Sequence, residues 1–331
     1  QFFIVKLNSN GSIDNTFTTG TGFDWEVNAL AVQSDGKIVV GGLFYYYNGD
    51  AQLSITRLNS DGTLDTGFTV GENFSDSQVY AIAIQSDGKI VLGGSFYAYN
   101  GYVPSITRLN SDGSIDAGFT TGTGFDGVVS TVGIQSDGKI VVGGSFYYYD
   151  GTFQAGIARL NSDGSLDTGF MIGTGFNSNV SAVAIQSDGK IVVAGNFSDY
   201  NGTSQLRITR LNSNGTRDVG FTVGTGFDGP VSAVAIQSDG KILVGGSFSS
   251  YNGTPQPYIA RLNSDGTRDT GFAATGFNWE VKTIAVQSDG KIIAGGGSFA
   301  RLNSNGTLDT GFNAGGSGFD YYVNSITLIQ G

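Results

Sequence analysis

Along this chain the apolar residues come in short runs, and nowhere do they hold a 3.6-residue period for three turns, so no helix is predicted. In one stretch the runs are "VNALAV" (27–32), "KIVVGGLF" (37–44), "SITRLN" (54–59) and "TLDTGF" (63–68). "SDG" separates the first run from the second and the third from the fourth, while a longer loop joins the second to the third. Asp-Gly between β-rich runs signals a hairpin, because glycine accepts the positive φ that such turns demand. The stretch therefore reads as four short antiparallel strands.

That reading repeats. "QSDGKI" begins at Gln33, Gln85, Gln135, Gln186, Gln237 and Gln287. "LNS", then Asp or Asn, then Gly, begins at Leu7, Leu58, Leu109, Leu160, Leu211, Leu262 and Leu302, at steps of 51 residues until a last step of 40. A four-stranded unit at this period predicts a β-propeller blade; solenoid coils are usually shorter and do not need two Asp-Gly hairpins per unit. The first-strand motif opens seven times, at Val27, Val79, Val129, Val180, Val231, Val281 and Val323. The expected fold is all-β, a seven-bladed β-propeller of four-stranded antiparallel blades, period about 51, forming one domain over residues 1–331. Blades are expected at about 27–69, 79–120, 129–171, 180–222, 231–273 and 281–312. The last blade is expected to be a composite of 323–331 with 1–18, since "QFFIVKLN" aligns with the third strand and "VNSITLIQG" with the first. Such closure removes exposed sheet edges.

Composition narrows the function. Fifty-four glycines against four prolines indicate many tight turns, and 39% apolar residues suffice for a core. A formal charge of −11 argues against nucleic acid or an anionic membrane as partner, and no apolar run approaches the roughly 18 residues of a spanning helix. There is no cysteine and no histidine, which removes thiolate chemistry, Ser-His-Asp and Cys-His arrangements and the commonest metal ligand. No cofactor is implied. The start at Gln1 suggests a processed chain or a piece of a longer one.

The motifs "QSDGKIVVGGSF", "RLNSDGTLDTGF" and "GTGF" resemble the delta-60 type of propeller repeat over nearly the whole length. That family is known mainly from secreted bacterial surface proteins and phage-associated sequences. The resemblance implies a non-catalytic, extracellular or virion-associated module.

A residue present in every unit is expected to serve the repeated structure, and one that differs is free to serve function. The stretch around Arg57, Asn59, Asp61, Gly62 and Asp65 approaches a D-x-D-x-D-G-x-x-D calcium loop, but Arg57 holds the first ligand position and recurs as Arg108, Arg159, Arg210, Arg261 and Arg301. Cross-strand Arg–Asp pairing is the better reading, worth about 0.5 kcal/mol each if partly exposed. "NGT" at Asn201, Asn214, Asn252 and Asn305 is explained as turns rather than as glycan acceptors.

Strand order puts both Asp-Gly turns of each unit on one face, and the second-to-third loop and the inter-blade connector on the other. Variation concentrates on that second face. Phe44 and Tyr47 recur in five loops, but the residues between them are Tyr45 and Tyr46, then Tyr97 and Ala98, then Tyr147 and Tyr148, and later serines and an aspartate. In the connectors, "GFDWEV", "GFNWEV" and "GFDYYV" place Trp25, Glu26, Trp279, Glu280, Tyr321 and Tyr322 on blades that neighbour once the ring closes. These eleven residues (Tyr45, Tyr46, Tyr97, Tyr147, Tyr148 and the six just named) are the candidate ligand-binding set. Aromatic area with carboxylate acceptors suits a glycan or a surface protein. The expected function is a non-enzymatic structural or adhesive module, on a cell or virion surface, binding through this face. Alternatives are a carbohydrate-binding lectin, a carbohydrate-active enzyme using Glu26 and Glu280, or a spacer among other subunits of an assembly.

Overall fold

A computed structural model describes residues 3–70, 74, 77–98, 101–102, 105–274, 276–312, 319 and 322–329, with only the backbone at 97–98 and 101–102. In the first unit, β1 (Glu26–Val32), β2 (Ile38–Leu43), β3 (Tyr46–Tyr47), β4 (Asp50–Ala51) and β5 (Ile55–Leu58) follow one another. β1, β2 and β5 form one antiparallel sheet, in register from Val32↔Ile38 and from Ile38↔Leu58. The fourth strand is reduced to a single antiparallel bridge, Leu58↔Leu64. It stops there because Asp65 accepts the N–H of Gly67, turning the chain away, and Thr69 donates its N–H to Asp112 O of the next unit. β3 and β4 form a small hairpin inside the second-to-third loop. The same sheet recurs in six units, and the last of them runs from Gly296 to Phe299 without that hairpin.

The middle strand explains how units stack. Val39 and Val40 are both fully buried, although they point to opposite sides of the sheet. Val40 joins a core with Phe23, Val27, Phe44 and Tyr47 of its own unit, whereas Val39 joins Val79, Ile90 and Leu92 of the next. Each sheet is thus covered on both faces, which is why "KIVV" is a continuous apolar run rather than an alternating one. Contact is close: a Cβ on Gly41 would sit 2.5 Å from Val79 Cγ1, although the fourth unit accommodates Ala194 at the equivalent position.

The repeated arginine makes the cross-strand pair with aspartate and is also a buried connector between units. Arg57 is 7% exposed, and its Nε donates to Asp65 Oδ2 at 2.6 Å, which also takes Lys37 Nζ at 2.9 Å. The same guanidinium lies 4.7 Å from the Phe68 ring and donates to Gln33 Oε1 and to Ser111 O of the following unit. Asp61 spends its Oδ1 on the N–H and hydroxyl of Thr63. Both Asp65 oxygens and Asp61 Oδ1 are thus taken by donors, and Asp65 is the ion-pair partner of Arg57.

Both ends of the chain repeat contacts made between units. Arg301 Nη1 donates to Ser9 O at 2.5 Å, where Arg57 reaches Ser111, and Thr18 donates its N–H to Asp61 O as Thr69 does to Asp112. Val323 N–H donates to Gly296 O, Ile326 N–H to Thr283 Oγ1, and Leu30 N–H to Ser325 Oγ. Residues 3–18 and 322–329 therefore touch both the sixth unit and the first.

Candidate functional site

The second-to-third loop is built around buried rings. Phe23, Phe44 and Tyr47 meet at 4.4–4.5 Å, and the Tyr47 hydroxyl donates to Gly62 O at 2.5 Å. Burial, with the Asp61 charge behind it, pushes that hydroxyl up to about 12. Asp24 Oδ1 accepts the backbone N–H groups of Tyr45 and Tyr46, and Asp126 does the same for Tyr147 and Tyr148. In the fourth and fifth units Asn177 and Asp228 hold Ser198–Asp199 and Ser249–Ser250 in the same way. The backbone is fixed identically whatever side chain it carries. Tyr45, Tyr46, Tyr147 and Tyr148 are left exposed, while Tyr47 and Tyr149 are not. The Tyr97 side chain and all of Tyr321 lie outside the described residues.

A second feature lies where the first strands begin. Asn28, Tyr80, Ser130, Ser181, Ser232, Lys282 and Asn324 line one opening of about 350 Å³, joined by Glu280. Each of the seven follows the valine that opens a first strand. In the six strands of the units, a bulge at the same place interrupts the pairing, as between Val27 and Ala29. Glu280 Oε1 accepts the Ser232 hydroxyl at 2.8 Å, and Lys282 Nζ lies 4.4 Å from the centre of the Tyr322 ring and 3.4 Å from Asn324 Oδ1. Asn28 Oδ1 accepts from Asn324, while Asn28 Nδ2 is buried without a partner. Trp279 is 62% exposed and Tyr322 52%, and a Cβ on Gly297 would touch both.

Of the expected set, Glu280 lines this opening, Tyr322 lies against its Lys282, and Trp279 approaches Tyr322 at Gly297. Trp25 is exposed on the connector before β1, and Glu26 is exposed and is not among the residues lining the opening, so the two glutamates do not share one wall. Sequence reasoning missed Lys282 and the six polar residues facing it. The signal was present: one position per unit, directly after a repeated valine, that reads Asn, Tyr, Ser, Ser, Ser, Lys, Asn.

Antiparallel units of three strands and a bridged fourth, stacked face to face at a period of about 51 residues, make this a β-propeller repeat protein. The chain belongs to the family described as "Domain of unknown function (DUF5122) beta-propeller", which matches residues 1–17, 33–68, 85–119, 135–170, 186–221, 237–272 and 287–312. No curated protein matches the sequence. Among solved structures, the WD40 beta propeller domain of Doa1 is similar at 16% identity and a TM-score of 0.61, over 89% of this chain and 84% of that one. The extracellular domain of BT4673 from B. thetaiotaomicron is similar at 18% identity and a TM-score of 0.52, over 84% of this chain. The present chain spans about a third of that protein's length (32%). Virginiamycin B lyase from Staphylococcus aureus is similar at 18% identity and a TM-score of 0.56, over 86% of this chain and 83% of that one. This last likeness corrects the expectation of a non-enzymatic module. The fold is shared with an enzyme, so a propeller repeat is no ground for excluding catalysis.

Proposed function

We propose that the chain is an extracellular binding propeller, closed as seven blades with a composite last blade, that takes a glycan at the opening among its first strands. The observation that carries this is the contrast between positions. Residues of the core and of the Asp-Gly turns repeat from unit to unit, whereas the opening is lined by a serine, asparagine, tyrosine and lysine mixture and flanked by Trp279 and Tyr322. Exposed rings beside hydroxyl, amide and carboxylate groups offer both the apolar area and the hydrogen-bond partners that sugars use. Ring closure is supported by the contacts of residues 3–18 and 322–329 with both the sixth and the first units. An extracellular setting is supported by the resemblance of the repeats to those of secreted surface proteins. The exposed tyrosines 45, 46, 147 and 148, with Trp25, extend the face on which a larger surface partner would rest.

The test is a glycan array probed with the wild-type chain and with Trp279→Ala and Tyr322→Ala variants of unchanged melting temperature. Wild-type binding that both variants lose supports the site. A wild type that binds no glycan, or variants that bind as well as it does, overturns the reading.

A further inference from the structure

The chain has eight lysines, and seven of them have a carboxylate partner: Lys6 with Asp14 at 3.1 Å, and Lys37, Lys89, Lys139, Lys190, Lys241 and Lys291 with the repeated aspartates at 2.8–3.0 Å. Among the described residues Lys282 alone has none. It stands at the opening, against the face of Tyr322 and the amide oxygen of Asn324, neither of which neutralises it. In a chain of net charge −11, an ammonium without a carboxylate partner, held in a partly enclosed polar wall, is a place where an anion is locally favoured.

Resting on the glycan-binding reading above, we propose that the opening selects an acidic sugar residue, one bearing a carboxylate, with Lys282 as its counter-ion. The walls fit the rest of such a ligand. Tyr80, whose hydroxyl donates to Gln78 Oε1, and Ser130 and Ser181, whose hydroxyls bond Asn179, line it together with Glu280, which is held by Ser232. The buried, unpaired Nδ2 of Asn28 is a donor that a modest turn of the side chain would bring to a sugar oxygen. Trp279 and Tyr322 supply the exposed rings at the rim. A volume of about 350 Å³ lies at the small end of ligand sites and suits one or two sugar rings rather than a protein loop. A phosphate fits less well: it carries close to two charges, and the Glu280 carboxylate shares the wall with the single ammonium.

The experiment is calorimetric titration of the full chain with trigalacturonate and with the neutral trisaccharide galactotriose, for the wild type and for Lys282→Gln. The expected result is at least a tenfold preference for the acid, reduced to parity in Lys282→Gln with unchanged thermal melting. Equal wild-type affinity for the two probes overturns the acidic ligand and leaves glycan binding standing. A preference that persists in Lys282→Gln overturns the role of the lysine. Binding of neither probe, with Trp279-dependent attachment to an array retained, again overturns the acidic ligand alone. Loss of both removes the glycan reading beneath it.

Discussion

Replacing Asp116 with asparagine tests whether the repeated charge cluster holds neighbouring units together. Asp116 Oδ2 accepts from Arg108 Nε at 2.7 Å and Lys89 Nζ at 2.9 Å, and its Oδ1 accepts the N–H of Gly118 at 3.0 Å. Asparagine keeps the shape and the Gly118 contact but aims an amide or a neutral oxygen at two cations. Lys89 is about a third exposed (32%), so water takes over its part and the loss there is about 0.5 kcal/mol. Arg108 is 6% exposed and is left as a buried charge without a counter-ion, a situation that costs about 3–5 kcal/mol. It keeps Gln85 Oε1, Ser162 O and the face of Phe119, which places Asp116→Asn near the lower end, at about 3 kcal/mol. Lys89→Met should cost about 0.5 kcal/mol. Urea unfolding followed by far-ultraviolet circular dichroism measures both. Asp116→Asn costing under about 1 kcal/mol, or Lys89→Met costing as much as it does, would refute the assignment of the energy to the buried arginine. The pH dependence gives a second arm. The Lys89 hydrogen bond, opposed by burial and helped by Gly118 N–H and Arg108, lowers the Asp116 carboxyl from its ordinary 3.8 to about 2. A depressed folded-state value gives stability that is complete above about pH 4 and is lost as pH falls through about 2. The gap between wild type and Asp116→Asn should therefore be wide at about pH 5 and nearly closed by about pH 2. A gap that stays constant over that range contradicts the ionic account.

Tyr200→Phe removes the hydroxyl that donates to Gly215 O at 2.5 Å and leaves the ring against Phe176; the expected loss is about 1–2 kcal/mol by thermal melting, and an unchanged melt counts against the buried bond. Burial pushes the Tyr200 hydroxyl well above its ordinary value, so this loss should not vary between neutral pH and about pH 9. Deleting residues 1–18 removes the acceptor of Arg301 and the Thr18–Asp61 bond; if the ring is closed by those residues, the shortened chain should melt earlier and associate through its open edge on size exclusion. A monomer with the wild-type melting point would show that closure does not depend on them.

The repeat was legible because the same physical demand recurs at each unit. Asp-Gly turns and a middle strand apolar on both sides are written into the text about every 51 residues, and a glycine lies under the next unit's valine in each of the six units but the fourth, which has Ala194. The division of the tyrosine triplet was legible for the same reason: Tyr47 recurs because its ring and hydroxyl are buried, whereas Tyr45 and Tyr46 are exposed, and Asp24 holds their backbone whatever side chain it carries. The burial of Arg57 was not legible, since its acceptor Ser111 O lies 54 residues away in the next unit and no local pattern announces it. Lys282 was missed for a different reason. It sits in "VKTIAV", where it reads as one polar residue on an inner strand, and comparison of the connectors alone gives it no distinction. Only the convergence of the first strands makes seven residues from seven repeats into neighbours, and only the pairing of the other seven lysines makes this one unusual. In a repeat fold the informative sites are therefore found by asking which copy breaks the charge balance that all other copies keep.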